Sequence, residues 1–120
     1  MRFSPNIELE RNSDRTSDLR CPRCGGIHLH QTKVSIFNRQ EDEETVFLVT
    51  VIGKNTSTGF VSNDESGNPS SRRQGLAIEF DCEGCSTGDP DDVLELTIAQ
   101  HKGSTEMGWR FTPRKSGGPR

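Results

Sequence analysis

Cys21-Pro22-Arg23-Cys24-Gly25-Gly26 and Cys82-Glu83-Gly84-Cys85 are the two stretches on which the reading of this chain turns. In each, two residues separate a pair of cysteines. That spacing lets the backbone fold back in a knuckle, so that both sulfurs face one metal ion about 2.3 Å away. Pro22 pre-sets φ in the first turn. Gly25 permits the left-handed conformation that often follows the second sulfur, and it exposes backbone N–H groups toward the thiolates. Two knuckles supply four thiolates, a closed tetrahedral set with no open position for catalysis. The expectation is therefore one structural zinc ion on Cys21, Cys24, Cys82 and Cys85. Three other readings stand beside it: four free or redox-active cysteines, a ligand set in which His28 or His30 replaces one cysteine, and iron in place of zinc.

Composition explains why such a staple is needed. The AVILMFWYC set makes up 28% of the 120 residues. Even with the twelve glycines added, the share stays below the roughly 45–50% of an ordinary globular domain. A chain this polar buries little apolar area, so a metal cross-link or long unstructured parts are expected. The N-terminal residues Met1 to Glu8 hold no apolar run of the secretory type, and no stretch approaches membrane-spanning length. The expected compartment is a reducing cytoplasm, of a bacterial cell or of a host cell, where paired Cys-x-x-Cys motifs read as metal ligands before disulfides.

Outward from the knuckles the signals are those of strands. Thr45 to Ile52 is β-branched and apolar nearly throughout, as in a central strand. Gly75 to Cys82 places Leu76, Ile78 and Phe80 on one face. Val93 to Gln100 does the same with Leu94, Leu96 and Ile98. Ile27 to Asn38 alternates only in part, and Met107 to Phe111 reads as a short last strand. No segment carries a capped helical stripe. Arg39 to Glu44 reads as a polar hairpin tip, Gly53 to Gln74 as a long loop, and Ser86 to Asp92 as a tight acidic link.

The fold expected is all-β: a small antiparallel sheet of four or five strands with a four-cysteine zinc-ribbon-like site at one end and flexible termini. Residues 1–19 form a flexible arm, 20–111 the β domain with its 53–74 loop, and 112–120 a disordered basic tail. The two Cys-x-x-Cys knuckles beside predicted strands resemble the zinc-ribbon group, over perhaps half the chain. Two departures are visible: Ser86 stands where a Gly commonly follows the second knuckle, and 57 residues separate Cys24 from Cys82. The stretch from Asn68 to Cys85, with Leu96 to Thr105, also resembles small uncharacterised zinc-ribbon proteins of bacterial and of phage or plasmid genomes. That resemblance implies the setting of a mobile element but no activity.

Charge bears on partners. The whole chain carries a formal −3. Residues 21–109 hold seven Lys/Arg against fourteen Asp/Glu, and four thiolates on one Zn²⁺ make that part more acidic still. Phosphate backbones are bound mainly by Lys/Arg, so the central domain is a poor nucleic-acid surface. The expected function is a non-enzymatic interaction module that binds a protein partner, as an accessory or host-directed factor. Ser70, Ser71, Arg72, Arg73, His101 and Lys102 are its candidate partner-binding residues, with an exposed loop ahead of a strand as the plainer reading. The alternative is a nucleic-acid-binding zinc ribbon using Arg72/Arg73, Trp109 and the basic tail; a core position is the plainer reading of Trp109. His28, His30 and His101 invite a second metal site, but two histidines on one strand face fall short of a ligand set. No nucleophile–base signature, phosphate loop or dinucleotide fingerprint is present, so no catalytic residue is assigned.

Overall fold

A computed structural model describes residues 1–85 and 92–113. In chain order its elements are β1 (Arg2–Ser4), β2 (Leu9–Arg11), β3 (Ser17–Leu19), β4 (Leu29–Asn38), β5 (Thr45–Ile52), β6 (Asn55–Ser62), α1 (Asn63–Ser66), β7 (Gly75–Cys82), β8 (Asp92–His101) and β9 (Ser104–Pro113). Seven strands form one antiparallel sheet in the order β1-β9-β8-β7-β4-β5-β6, and β2 pairs with β3 as a separate hairpin. The fold is thus all-β and antiparallel, as its alternating apolar residues require. The sheet consists of two three-stranded meanders, β4-β5-β6 and β7-β8-β9, joined where β4 lies against β7, with β1 added at the β9 edge.

More of the chain is strand than the sequence pattern suggests. Within 53–74, read as a loop, lies all of β6. It is polar on five of its eight positions and glycine on a sixth, so its periodicity is weak, and pairing with β5 across a two-residue turn supplies the order instead. The 1–19 arm is docked: Arg2, Phe3 and Ser4 pair with Phe111, Arg110 and Trp109. The Arg2 guanidinium also reaches Asp92 at 2.9 Å and lies over the Phe111 ring. Thr112 and Pro113, read as the start of the tail, close β9. Most of the acidic link, residues 86–91, and the tail residues 114–120 lie outside the described residues.

The partial alternation of β4 has a structural cause. The β4–β7 register shifts between Gln31 and Lys33, a β-bulge at Thr32, whose hydroxyl donates to the Glu79 carbonyl at 3.2 Å. Side chains alternate faces along a strand, so one inserted residue switches the phase. Leu29 and Val34, an odd number of residues apart, thereby share the face that carries Phe80 and Ile78.

Two small cores result, one on each face of the sheet. On the first face Phe80, Leu94, Leu96, Trp109 and Phe111 cluster with Cys21, and Ile7, Leu19 and Leu29 pack against them. The N-terminal segment and first knuckle therefore roof this half of the sheet. On the second face Phe37, Val46 and Ala77 cluster with Leu48 and Val61. Here the cover comes from residues 63–74. Arg110, paired with Glu95 at 3.2 Å, donates to the Gly67 carbonyl at 2.7 Å and ties that segment to β9.

Gly75 is where the cover presses closest. A Cβ there would strike the Asn68 side chain and stand 2.7 Å from two ring carbons of Pro69. Gly75→Ala is expected to lower stability by about 1–3 kcal/mol, the usual penalty of overpacking. Urea unfolding followed by far-UV circular dichroism checks this; an unchanged midpoint would mean that the 68–69 turn lifts away freely.

Candidate metal centre

The β4–β7 pairing is what brings the distant knuckles together. Leu29 at the start of β4 pairs with Cys82 at the end of β7, so the chain before β4 and the chain after β7 leave the sheet side by side. The backbone N–H of Glu83 donates to the His28 carbonyl at 3.1 Å and extends this contact beyond the strands. A separation of 57 residues in sequence is therefore no obstacle. The first knuckle is closed by Gly25 N–H to the Cys21 carbonyl (2.8 Å) and Cys21 N–H to the Gly26 carbonyl (2.7 Å). Gly25 takes φ 76°, the left-handed value that its lack of a Cβ makes inexpensive.

The four sulfurs lie within 4.8 Å of one another. Cys21 Sγ is 3.7 Å from Cys85 Sγ, and Cys24 Sγ is 3.5 Å from Cys82 Sγ. Four sulfurs at ~2.3 Å from a common centre would stand about 3.8 Å apart, so the cluster fits a tetrahedral metal ion. All four cysteines are free of disulfides, with sulfur separations far beyond the ~2.05 Å of an S–S bond. The backbone N–H groups of Arg23 and Gly26 point at Cys21 Sγ and Cys24 Sγ, each at 3.4 Å, and would stabilise thiolate charge. Small residues are needed around this set: a Cβ on Gly26 or on Gly84 would come within 3.3 Å of Cys24 Sγ.

Electrostatics in the absence of a cation oppose the charged form. Burial pushes the Cys85 thiol up to about 12, with its hydrogen bonds to Cys82 and Cys21 adding to the shift. A bound cation reverses that preference, because a coordinating thiol is deprotonated outright. With its proton held, Cys85 is a poor free nucleophile, since the thiolate is the reactive form. Beside it, His30 Nε2 and Glu83 meet at 3.1 Å, both well exposed. The hydrogen bond from His30 holds the Glu83 carboxyl below its ordinary value. Neither histidine joins the cluster. Among the described residues no other group of three or more His, Cys, Asp or Glu side chains is placed to share an ion.

The candidate partner-binding residues lie at the opposite end of the sheet. They sit near Gly75, the far end of the β4–β7 seam, seven residues or roughly 24 Å along the strand from Cys82. Ser70 is buried and structural: its hydroxyl donates to the Gln100 carbonyl at 2.6 Å and accepts from the N–H groups of Arg73 (2.9 Å) and Arg72 (3.3 Å). Ser71 is exposed beside it. Arg72 is held by Asp42 at 2.9 Å and Glu41 at 3.1 Å, and Arg73 by Glu41 at 3.1 Å. The Arg72 guanidinium holds the Asp42 carboxyl below its ordinary range. The acidic hairpin tip and the basic pair thus neutralise each other across the β4–β5 connection. His101 is half-buried, and Lys102 occupies the β8–β9 turn at φ 55°.

Trp109 is 1% exposed and stands edge-on to Phe80 at 6.0 Å. It is core, so its ring is not available for stacking on a base. Arg110, the first basic residue of the C-terminal run, is also buried and paired with Glu95.

Over β4, β5 and β6 no described residue covers the first face. Val34, Ile36, Phe47, Val49, Val51 and Phe60 share it by register. Ile36 remains 44% exposed and Phe60 74%, a continuous apolar strip rather than scattered residues. The alternating Phe47-Val49-Val51 pattern was a usable signal for it, but only the sheet order shows that no described residue lies on top. The chain matches no protein-family model, no curated protein and no solved structure with which it was compared. Among the described residues no helix is long and apolar enough to cross a membrane.

Proposed function

We propose that this chain is a non-enzymatic interaction module in which Cys21, Cys24, Cys82 and Cys85 hold one structural zinc ion and the uncovered sheet face binds a protein partner. The observation that carries the reading is the apolar strip on β4–β6. A surface of valine, isoleucine and phenylalanine with no charged side chain among them favours an apolar protein surface over phosphates. Closed four-sulfur coordination favours a structural role for the metal, and zinc is the redox-inert ion that such sites commonly take. The zinc-ribbon likeness of the knuckles, and the setting of an accessory or host-directed factor of a phage or mobile element, rest on sequence resemblance.

The partner surface proposed is thus the sheet face rather than the set Ser70, Ser71, Arg72, Arg73, His101 and Lys102. Arg72 and Arg73 already have acidic partners, so binding there would first have to break them. The nucleic-acid alternative is weakened by the same pairing and by the burial of Trp109.

Metal analysis of purified protein is expected to give one zinc per chain. Ile36→Glu then tests the surface, because Ile36 is exposed enough for the fold to tolerate the change. A partner retained by the wild-type protein and lost with Ile36→Glu at full zinc content supports the proposal. A partner held equally by both, or none held by zinc-loaded protein, removes it.

A further inference from the structure

The sheet ends differently on its two sides. At one edge β1 is three residues long and includes Arg2. At the other, β6 runs unbroken from Asn55 to Ser62 with no charged residue and no proline, and its register with β5 has no bulge. Short length, charge, proline and bulges are the devices that keep a free edge from pairing. β1 uses two of them; β6 uses none.

The backbone phase of β6 tells which groups are free. In an antiparallel ladder, residues that exchange both hydrogen bonds with the neighbour alternate with residues whose N–H and C=O face away. The two-residue turn Gly53-Lys54, with Gly53 at φ 58°, makes Ile52 and Asn55 an exchanging pair. At the other end, Asn63 N–H donates to the Glu44 carbonyl at 2.8 Å, which fixes the same phase. The outward groups therefore belong to Thr56, Thr58, Phe60 and Ser62, and no described residue bonds to them.

We infer that β6 pairs with β6 of a second copy, antiparallel, with Gly59 facing Gly59 across a two-fold axis. The four outward residues are symmetric about Gly59. In this register Thr58 exchanges bonds with Phe60 of the second copy, and Thr56 with its Ser62, so every outward N–H and C=O finds a partner. A slip of two residues either way leaves one outward residue of each strand unpaired. The flanking charges fit the antiparallel arrangement. It brings Lys54, in the turn that opens β6, to the end of the second copy's strand where α1 carries Asp64; both are exposed, and among the described residues neither has an ion pair. This self-complementarity of charge and hydrogen bonding points to a second copy rather than an unrelated strand.

The pairing also joins the two apolar strips. Paired residues share a face, so Phe60 of each copy stands diagonal to the other within reach of its ring. Phe60 already packs on Phe47 with centroids 5.0 Å apart. One apolar surface then runs across both protomers.

Sedimentation equilibrium of zinc-loaded protein from micromolar to millimolar concentration tests this. The wild-type chain is expected to pass from monomer to dimer. Thr58→Pro removes an outward N–H that no intrachain bond uses, so it should stay monomeric with unchanged zinc content and strand signal. Should Thr58→Pro unfold, Thr58→Asp keeps the N–H, sets like charges across the axis, and should also be monomeric. Lys54→Glu should weaken dimerisation several-fold at low salt, and adding Asp64→Lys should restore it. A wild-type chain that stays monomeric throughout, a folded Thr58→Pro variant that dimerises as tightly as wild type, or a charge exchange that restores nothing overturns the inference. Partner capture is read separately: a monomeric chain that still retains its partner overturns the pairing alone, and a dimer that retains none supports the pairing while removing the proposed function.

Discussion

Cys24→Ser is expected to abolish metal binding and unfold most of the sheet, and chelation of the wild-type protein is expected to do the same. Cys24 is the informative position because it is the exposed member of the four. Cys21 is 2% exposed and packs within the first core, so its loss would confound packing with coordination. A structural zinc site supplies about 10–16 kcal/mol of apparent binding free energy at neutral pH. Whole domains are stable by only about 5–15 kcal/mol. Two cores of so few buried residues, set on opposite faces, leave little margin once the ion is gone. Thermal melting by circular dichroism, with and without chelator, checks the expectation. A Cys24→Ser protein that melts at the wild-type temperature would show that the cluster does not hold the fold.

The second large effect is expected at Trp109. Trp109→Ala should cost about 3–5 kcal/mol, the range for removing a buried aromatic side chain. The ring fills the centre of the first core, against Phe80, and sits on the strand that β1 pairs with. Its Nε1 has no hydrogen-bond partner among the described residues. The expected contribution is therefore one of volume and apolar area, and Trp109→Phe should recover more than half of the loss. Urea unfolding must be followed by circular dichroism, because this is the chain's single tryptophan. If Trp109→Phe proved as damaging as Trp109→Ala, the indole N–H would have to be making a bond after all.

The strands with dense apolar alternation were legible from the sequence almost to the residue. Thr45–Ile52 and Gly75–Cys82 coincide with β5 and β7, and Val93–Gln100 falls one residue short of β8 at each end. The cluster of cysteines was legible as well, because a Cys-x-x-Cys spacing dictates local geometry whatever surrounds it. What escaped depends on neighbours. β6 is a strand because β5 lies beside it, not because Asn-Thr-Ser-Thr carries a pattern. β1 is ordered because β9 offers it an edge. The bulge at Thr32 broke the alternation of β4 and blurred its reading, although a phase change of that kind is itself a sign of a bulge. Arg72 and Arg73 read as a free basic pair because Glu41 and Asp42, thirty residues earlier, gave no local sign of meeting them. Which part of an apolar face stays open is a property of the sheet order, and no single strand carries it.

The seam between the two meanders has a consequence for how the chain reaches its fold. Each meander is made of neighbouring hairpins, which close quickly because their partners are near in sequence. The β4–β7 ladder must instead wait for two strands separated by the whole of β5, β6 and α1. The knuckles sit at the start of β4 and the end of β7, so an ion gripping all four sulfurs shortens that search before any rung of the ladder forms. Metal present from the first moment of refolding then acts on the rate as well as on the equilibrium, and metal supplied late finds the halves still apart.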